Sequence, residues 1–415
     1  MTRVVGETEP AAFGISARTA RALADPWRVR ILIEVTIRPL SPSQFVDEFG
    51  GELTHIARCF RQLAEWGYLE VAEERPGRRR GAAIEHIYRA IRRAHFDSYA
   101  WESVSPSERN NVSRSVLASY QQRIEAALAA GTFDQEVDRH LSWDVVTLDR
   151  SAWRELGERL DLLLGSLAQY ELEAGKRLAE ENGGEQIPTT VGLAAFRSPG
   201  TPSLRQGARS RPGPGVAEPG SHFALGPKLA KALSNQWRCR ILMEVSMRPQ
   251  SPSQFVEAVG GSMTHVSRCF RELAKWGYLE VLEERTGGRR GGVERIYKST
   301  HRPYFDSPTW RGLPQIVREE VSPWFLSTYF DRVTEALEAG TFDADLDRHL
   351  SWKPVVIDRE AWTSIGADLD EVLAWLPELE AQSLERTEEV EELIPATVGM
   401  ASFRSPSSKS ARSDV

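Results

Sequence analysis

Apolar side chains fall at Leu53, Ile56, Phe60 and Leu63. These spacings of three and four place them on one face of a helix, which Gly67 ends. The same stretch returns as Met263–Val281. Upstream, residues 17–37 hold two helical runs. Asp25 is placed to cap the second, with Pro26 at its first helical position, and Asn235 takes the cap's place in the second copy. The next run, SPSQFVDEFG, opens on Ser41 as cap with Pro42 behind it and stops at Gly50-Gly51. After the amphipathic helix the pattern becomes that of short strands. LEVAEE and EHIYRAI flank an Arg- and Gly-rich tip, RPGRRRGAAI in one copy and RTGGRRGGV in the other, which predicts a β-hairpin.

The remainder of each half reads as a helix near 106–130 ended by Gly131, a loop through TFDxxxDRHLSW and a short strand VVTLD. A long helix over 149–181 and a final strand-like TTVGLAAF follow. Trp153, Leu156, Leu160, Leu163, Leu164 and Leu167 give that helix a broad apolar stripe that needs a partner.

Residues 41–75 and 251–285 agree at most positions, and the match continues through GTFD, DRHLSW, IPxTVG and FRSP. The chain of 415 residues is therefore two copies of one large module. The boundaries read as a disordered start 1–16, a head 17–95 and a body 96–199. A Gly-, Pro- and Arg-rich linker covers 200–222. A second head 223–304, a second body 305–406 and a disordered tail 407–415 complete the chain. The expected fold class is mainly α with small β wings (α+β), each helical body carrying a short two-stranded element.

The formal net charge of -7 argues against a polyanion as partner until it is divided. The heads carry an excess of Lys and Arg, and the bodies a larger excess of Asp and Glu. Polyanion binding then belongs to the heads. Three cysteines, no secretory pattern and no long apolar run fit a reducing cytoplasm and no membrane.

On the amphipathic helix, Arg58 points opposite the apolar stripe, with Thr54, His55, Arg61 and Gln62 beside it. Helix, tight turn, second helix with an Arg-bearing outer face, then an Arg-tipped hairpin make a winged helix-turn-helix pattern. A major groove admits one helix, and Arg grips guanine O6 and N7 bidentately. The tip residues Arg78, Arg79 and Arg80, and Arg289 and Arg290 in the second copy, are placed for phosphate or the minor groove.

ALADPWRVRIL, SPSQFVDEFG, LTHIARCFRQLAEWGYLEV and the hairpin ending HIYRA together resemble the ArsR-type winged-helix transcriptional regulators. The likeness is greatest to an actinobacterial branch with a longer C-terminal half. The resemblance implies a repressor with two recognition helices on a palindromic operator of double-stranded DNA. It carries DNA contact onto Thr54, His55, Ala57, Arg58 and Arg61, and onto Thr264, His265, Ser267, Arg268 and Arg271. The family's paired metal-sensing cysteines are absent from the heads, so no metal or cofactor is implied.

Duplication suggests an intramolecular pseudo-dimer, the long body helices packing at the pseudo-two-fold. The rival arrangement is further dimerisation, each module pairing with its counterpart in another chain. Ala57 against Ser267, and the unlike tips, imply an imperfect palindrome. Cys59 and Cys269 read as half-buried packing residues, the alternative being a thiol switch in the reading helix, and Cys239 reads as core. DRHLSW holds the letters of a catalytic triad at Asp138, His140 and Ser142. Triads are recognised by geometry, and three neighbours in a loop rarely have it, so the segment reads as structural and the chain as no enzyme. A candidate pocket for a small-molecule effector is lined by Trp143, Trp153 and Phe196, or by Trp352, Trp362 and Phe403. The alternative function is a protein-interaction scaffold that keeps the fold without specific DNA binding.

Overall fold

The computed structural model describes residues 18–75, 84–91, 101–180, 184–199, 226–286, 293–300, 310–386 and 392–406. The expected disordered start, linker and tail lie wholly or almost wholly outside these residues. The chain is a mixed α+β protein with several antiparallel sheets.

The first head packs α1 (Pro26–Ile37), α2 (Pro42–Phe49) and α3 (Leu53–Glu65) against a hairpin of β1 (Leu69–Arg75) and β2 (Glu85–Ala90). The local signals act as expected. Asp25 accepts from the Arg28 backbone N–H, and Ser41 with Gln44 forms a reciprocal capping box. Gly67 follows α3 at φ +78°, a left-handed backbone that side chains resist. The first body continues with α4 (Pro106–Ala129), β3 (His140–Leu148), α5 (Arg150–Leu178) and β4 (Ile187–Arg197). The second head comprises α6 (Gly226–Leu233), α7 (Gln236–Met247), α8 (Pro252–Val259), α9 (Met263–Lys275), β5 (Leu279–Thr286) and β6 (Val293–Ser299). The second body follows with α10 (Gln315–Glu338), β7 (His349–Ile357), α11 (Arg359–Glu385) and β8 (Ile394–Arg404).

The bodies depart from expectation. Among the described residues, no body has a two-stranded element of its own. The four body strands form one sheet in the order β3-β8-β4-β7, so strands from the two copies alternate and every neighbouring pair is antiparallel and crosses between copies. In the central ladder Leu193 lies opposite Met400, its own counterpart in the repeat, and a pseudo-two-fold axis passes between them. The outer ladders obey the same axis: His140 pairs with Ser402 and His349 with Ala195. The first outer strand also begins earlier than expected. His140, Leu141, Ser142 and Trp143 belong to β3, not to a loop, because the β8 backbone satisfies them.

Helices cover both faces of this sheet, which is why the central strands are buried along almost their whole length. Val191, Leu193 and Ala195 face the cluster built with α5 and α11, while Ala401 and Phe403 join α4 in another. The α5 stripe finds its partner across the axis, since α5 packs on β7 and α11, and α11 on β3 and α5. Leu164 is only partly buried at the edge of that cluster.

Gly192 and Gly399 mark the closest approach on the other face. A Cβ at Gly192 would lie 2.3 Å from the Tyr120 hydroxyl, and one at Gly399 would lie 2.5 Å from the Tyr329 ring. Gly192→Ala is expected to lower the urea midpoint by the equivalent of about 1–3 kcal/mol, the ordinary cost of overpacking a core. A midpoint equal to that of the parent chain would show that the tyrosine yields without strain.

Candidate functional site

The outer faces of α3 and α9 are near-copies. Thr54, Arg58 and Arg61 are exposed and His55 half-buried, as are Thr264, Arg268, Arg271 and His265. Beneath them Ile56, Phe60 and Leu63 are fully buried, and so is Cys59, which lies inside the stripe and not at its edge. Leu53 corrects the expectation, because it is 49% exposed, with its counterpart Met263 at 44%. Both stand on the first turn, where the helix projects past the core.

The arginines are held loosely. Arg58 Nη2 lies 3.4 Å from His55 Nδ1, and Arg61 Nε donates to the Ala57 carbonyl at 3.4 Å. In the second copy the equivalent distances are 3.1 and 3.2 Å. The two helices differ in charge at two positions, Glu272 for Gln62 and Lys275 for Glu65, and Glu272 lies 3.9 Å from Arg268 and 3.3 Å from Arg238. The hairpin-tip arginines Arg78, Arg79, Arg80, Arg289 and Arg290 fall outside the described residues.

The first head is tied to the shared sheet through buried charge. Arg123 donates to Glu34 of α1 at 2.5 Å and to Thr190 of β4 at 3.0 Å. Such a pair adds little net stability, but losing one member leaves an uncompensated buried charge and is strongly destabilising.

DRHLSW proves to be the seam between copies. Asp138 accepts from the Trp362 indole at 2.9 Å, and Asp347 from the Trp153 indole at 2.7 Å. Arg139 bonds Asp134 and reaches Ser322, while Arg348 bonds Asp343 and reaches Ser113. Burial lowers the pKa of both guanidiniums, and the adjacent carboxylates oppose that shift. The Trp143 indole donates to the Phe325 carbonyl, and that of Trp352 to Val116. At the caps of the long helices, Arg177 holds Asp358 below the usual carboxylate range and donates to it at 2.9 Å. Arg386 plays the same part at Asp149.

His140 stands 2.9 Å from Asp370 and 2.7 Å from Ser142, and His349 stands 3.0 Å from Asp161 and 2.7 Å from Ser351. The order acid, imidazole, hydroxyl is that of a nucleophilic relay, with the acid supplied by the other copy and not by Asp138. Exposure runs the wrong way for catalysis. Ser142 is buried on the face covered by α11, whereas the Asp370 side chain is 41% exposed. Each set joins the two copies, since the acid beside His140 and beside His349 comes from the long helix of the other copy.

The six aromatics expected around an effector pocket are separated. Trp153 and Trp362 join the long-helix cluster, Phe196 stacks on Phe342 at 4.6 Å, and Phe403 on Phe133 at 4.7 Å. Trp352 lies 5.7 Å from Tyr120. Trp143 alone of the six borders the cavity on the axis, beside Tyr120, Tyr329, Leu193 and Met400. The cavity's free volume is about 20 Å³, room for a water or two. The four tryptophan indole N–H groups are spent on bonds to the other copy, which explains why tryptophan recurs at these positions.

Comparison with protein-family models, with curated proteins and with solved structures found no match. Among the described residues, no helix is long and apolar enough to cross a membrane.

Proposed function

We propose that the protein is a sequence-specific DNA-binding transcriptional regulator, its two heads winged helix-turn-helix units and its two copies the halves of one pseudo-dimer. The observation that supports this most strongly is the pair of matching arginine-bearing helix faces, α3 and α9, carried on bodies that share a pseudo-two-fold axis. A dimeric reader of duplex DNA needs two such helices in successive major grooves on one side of the duplex.

In this reading Arg58 and Arg268 meet base edges, and Thr54, His55, Thr264 and His265 meet bases or phosphates. Leu53 and Met263, exposed on the first helical turn, supply apolar contact to thymine methyl groups. Glu272 disfavours phosphate near the second head and accepts from cytosine N4 where one is present. The two half-sites therefore differ, and the operator is an imperfect palindrome. Occupancy of such a site represses by excluding other proteins.

The test is selection of bound fragments from genomic DNA, followed by a salt titration of the selected site. Affinity should fall steeply, the logarithmic slope being about -0.9 per phosphate neutralised. Absent or salt-insensitive binding would favour a scaffold that recognises another protein.

A further inference from the structure

His55 and Cys59 are four apart on α3, so both side chains rise from one side of the helix. Cys59 Sγ and His55 Nε2 are 3.6 Å apart. Two ligands held tetrahedrally at the usual zinc–sulfur and zinc–nitrogen lengths are themselves about 3.6 Å apart. A third donor comes from a distant part of the chain. An Asp25 carboxylate oxygen lies with these two atoms in a group no wider than 4.8 Å. One Asp25 oxygen caps α1 by accepting from Arg28 N at 3.0 Å, and the other lies 3.9 Å from the Arg28 guanidinium. That guanidinium is drawn aside over the Trp66 ring, 5.4 Å from its centroid, and toward Gln62. Cys59 is buried, while Asp25 and His55 are half-exposed and leave a way in.

The second copy supplies a natural contrast. His265 Nε2 and Cys269 Sγ keep the same 3.6 Å, but the third position is Asn235, a neutral amide that caps α7 through the same oxygen position.

We propose that Asp25, His55 and Cys59 form a site for a borderline divalent cation of the zinc class, found in the first copy alone. The mixed N, O and S donor set suits zinc, cobalt(II) or cadmium and disfavours magnesium and calcium. Asp25 moves inward by a rotamer change to reach the ligand–ligand spacing of about 3.3–3.8 Å, and one water completes the tetrahedron. Binding sends the Cys59 thiol proton to solvent, so affinity rises with pH. The bound ion joins the start of α1 to the first turns of α3 and fixes the His55 ring. The site does not depend on what the heads recognise.

The test uses the reduced full-length chain titrated with cobalt(II), read by thiolate-to-cobalt charge-transfer absorption. One tight equivalent per chain is expected. Asp25→Asn reproduces the second copy's set and keeps a good helix cap. It should leave the circular dichroism unchanged and weaken the tight equivalent by roughly tenfold or more, at least the loss caused by removing a ligand's supporting group. Asn235→Asp should create a second tight equivalent. Cys59→Ser should remove the charge-transfer band of the tight site, and Cys269→Ser should spare it. A chain that binds no cobalt tightly overturns the proposal, as does a tight band indifferent to Asp25→Asn. In either case the 3.6 Å contact is a thiol–imidazole hydrogen bond only.

Discussion

Replacing Arg58 and Arg268 together by alanine lowers affinity for the selected site by roughly 2–6 kcal/mol, a loss of thirtyfold or more, while non-specific binding falls far less. Both side chains are exposed, at the centre of their helix faces and outside the buried stripe, so neither substitution opens a cavity. Stability should stay within about 0.5 kcal/mol of the parent. The single variants need not be equal, because Arg268 shares its surroundings with Glu272 whereas Arg58 has no such neighbour at Gln62. Competition binding with specific and random duplexes at fixed salt measures the effect. Equal losses on both duplexes would move these arginines from base edges to phosphates.

The heads were legible in sequence because their determinants are local. Asp25, Ser41 and the glycine after α3 each decide a helix end within four residues, and the α3 stripe decides which face is buried. Leu53 escaped because the periodicity that assigned it to the stripe says nothing of where the core ends. The bodies were legible only up to their elements. The α5 stripe shows that a partner is required, and TTVGLAAF that a strand ends the body, but neither says whose strand lies alongside. That choice rests on a ladder between residues about two hundred positions apart, in which Leu193 meets Met400. The acid for His140 is on α11 for the same reason, and no spacing within DRHLSW points to Asp370. The His55–Cys59 pair was visible as a four-residue spacing. Asp25, read only as a cap, gave no sign that it lies beside them.

The interleaved sheet leads to the second large effect. A fragment that stops in the 200–222 segment should not exist as a folded monomer. Strands β3 and β4 do not neighbour each other, so an isolated half has no body sheet to close. It also loses the surface that covers Trp153, Leu156, Leu160, Leu163 and Leu167. At about 1.5–3 kcal/mol for each large apolar side chain, uncovering five costs on the order of 10 kcal/mol, as much as a whole domain's stability. The fragment has one escape. Because the central ladder places Leu193 opposite its own counterpart Met400, with the flanking pairs related by the axis between them, two identical halves can repeat it, with Leu193 facing Leu193. Sedimentation should find the fragment as a homodimer and the intact 46.5 kDa chain as a monomer. An intact chain cut at a protease site introduced in the 200–222 segment should keep its halves together. A folded monomeric half, or an intact chain that sediments only as a dimer, would contradict the intramolecular pairing. The homodimer of halves would also carry two identical first heads, so it should prefer a perfect palindrome where the full chain should prefer an imperfect one. The same selection experiment applied to both proteins therefore reads out, in the symmetry of the DNA, whether α3 and α9 act as the two reading elements of one molecule.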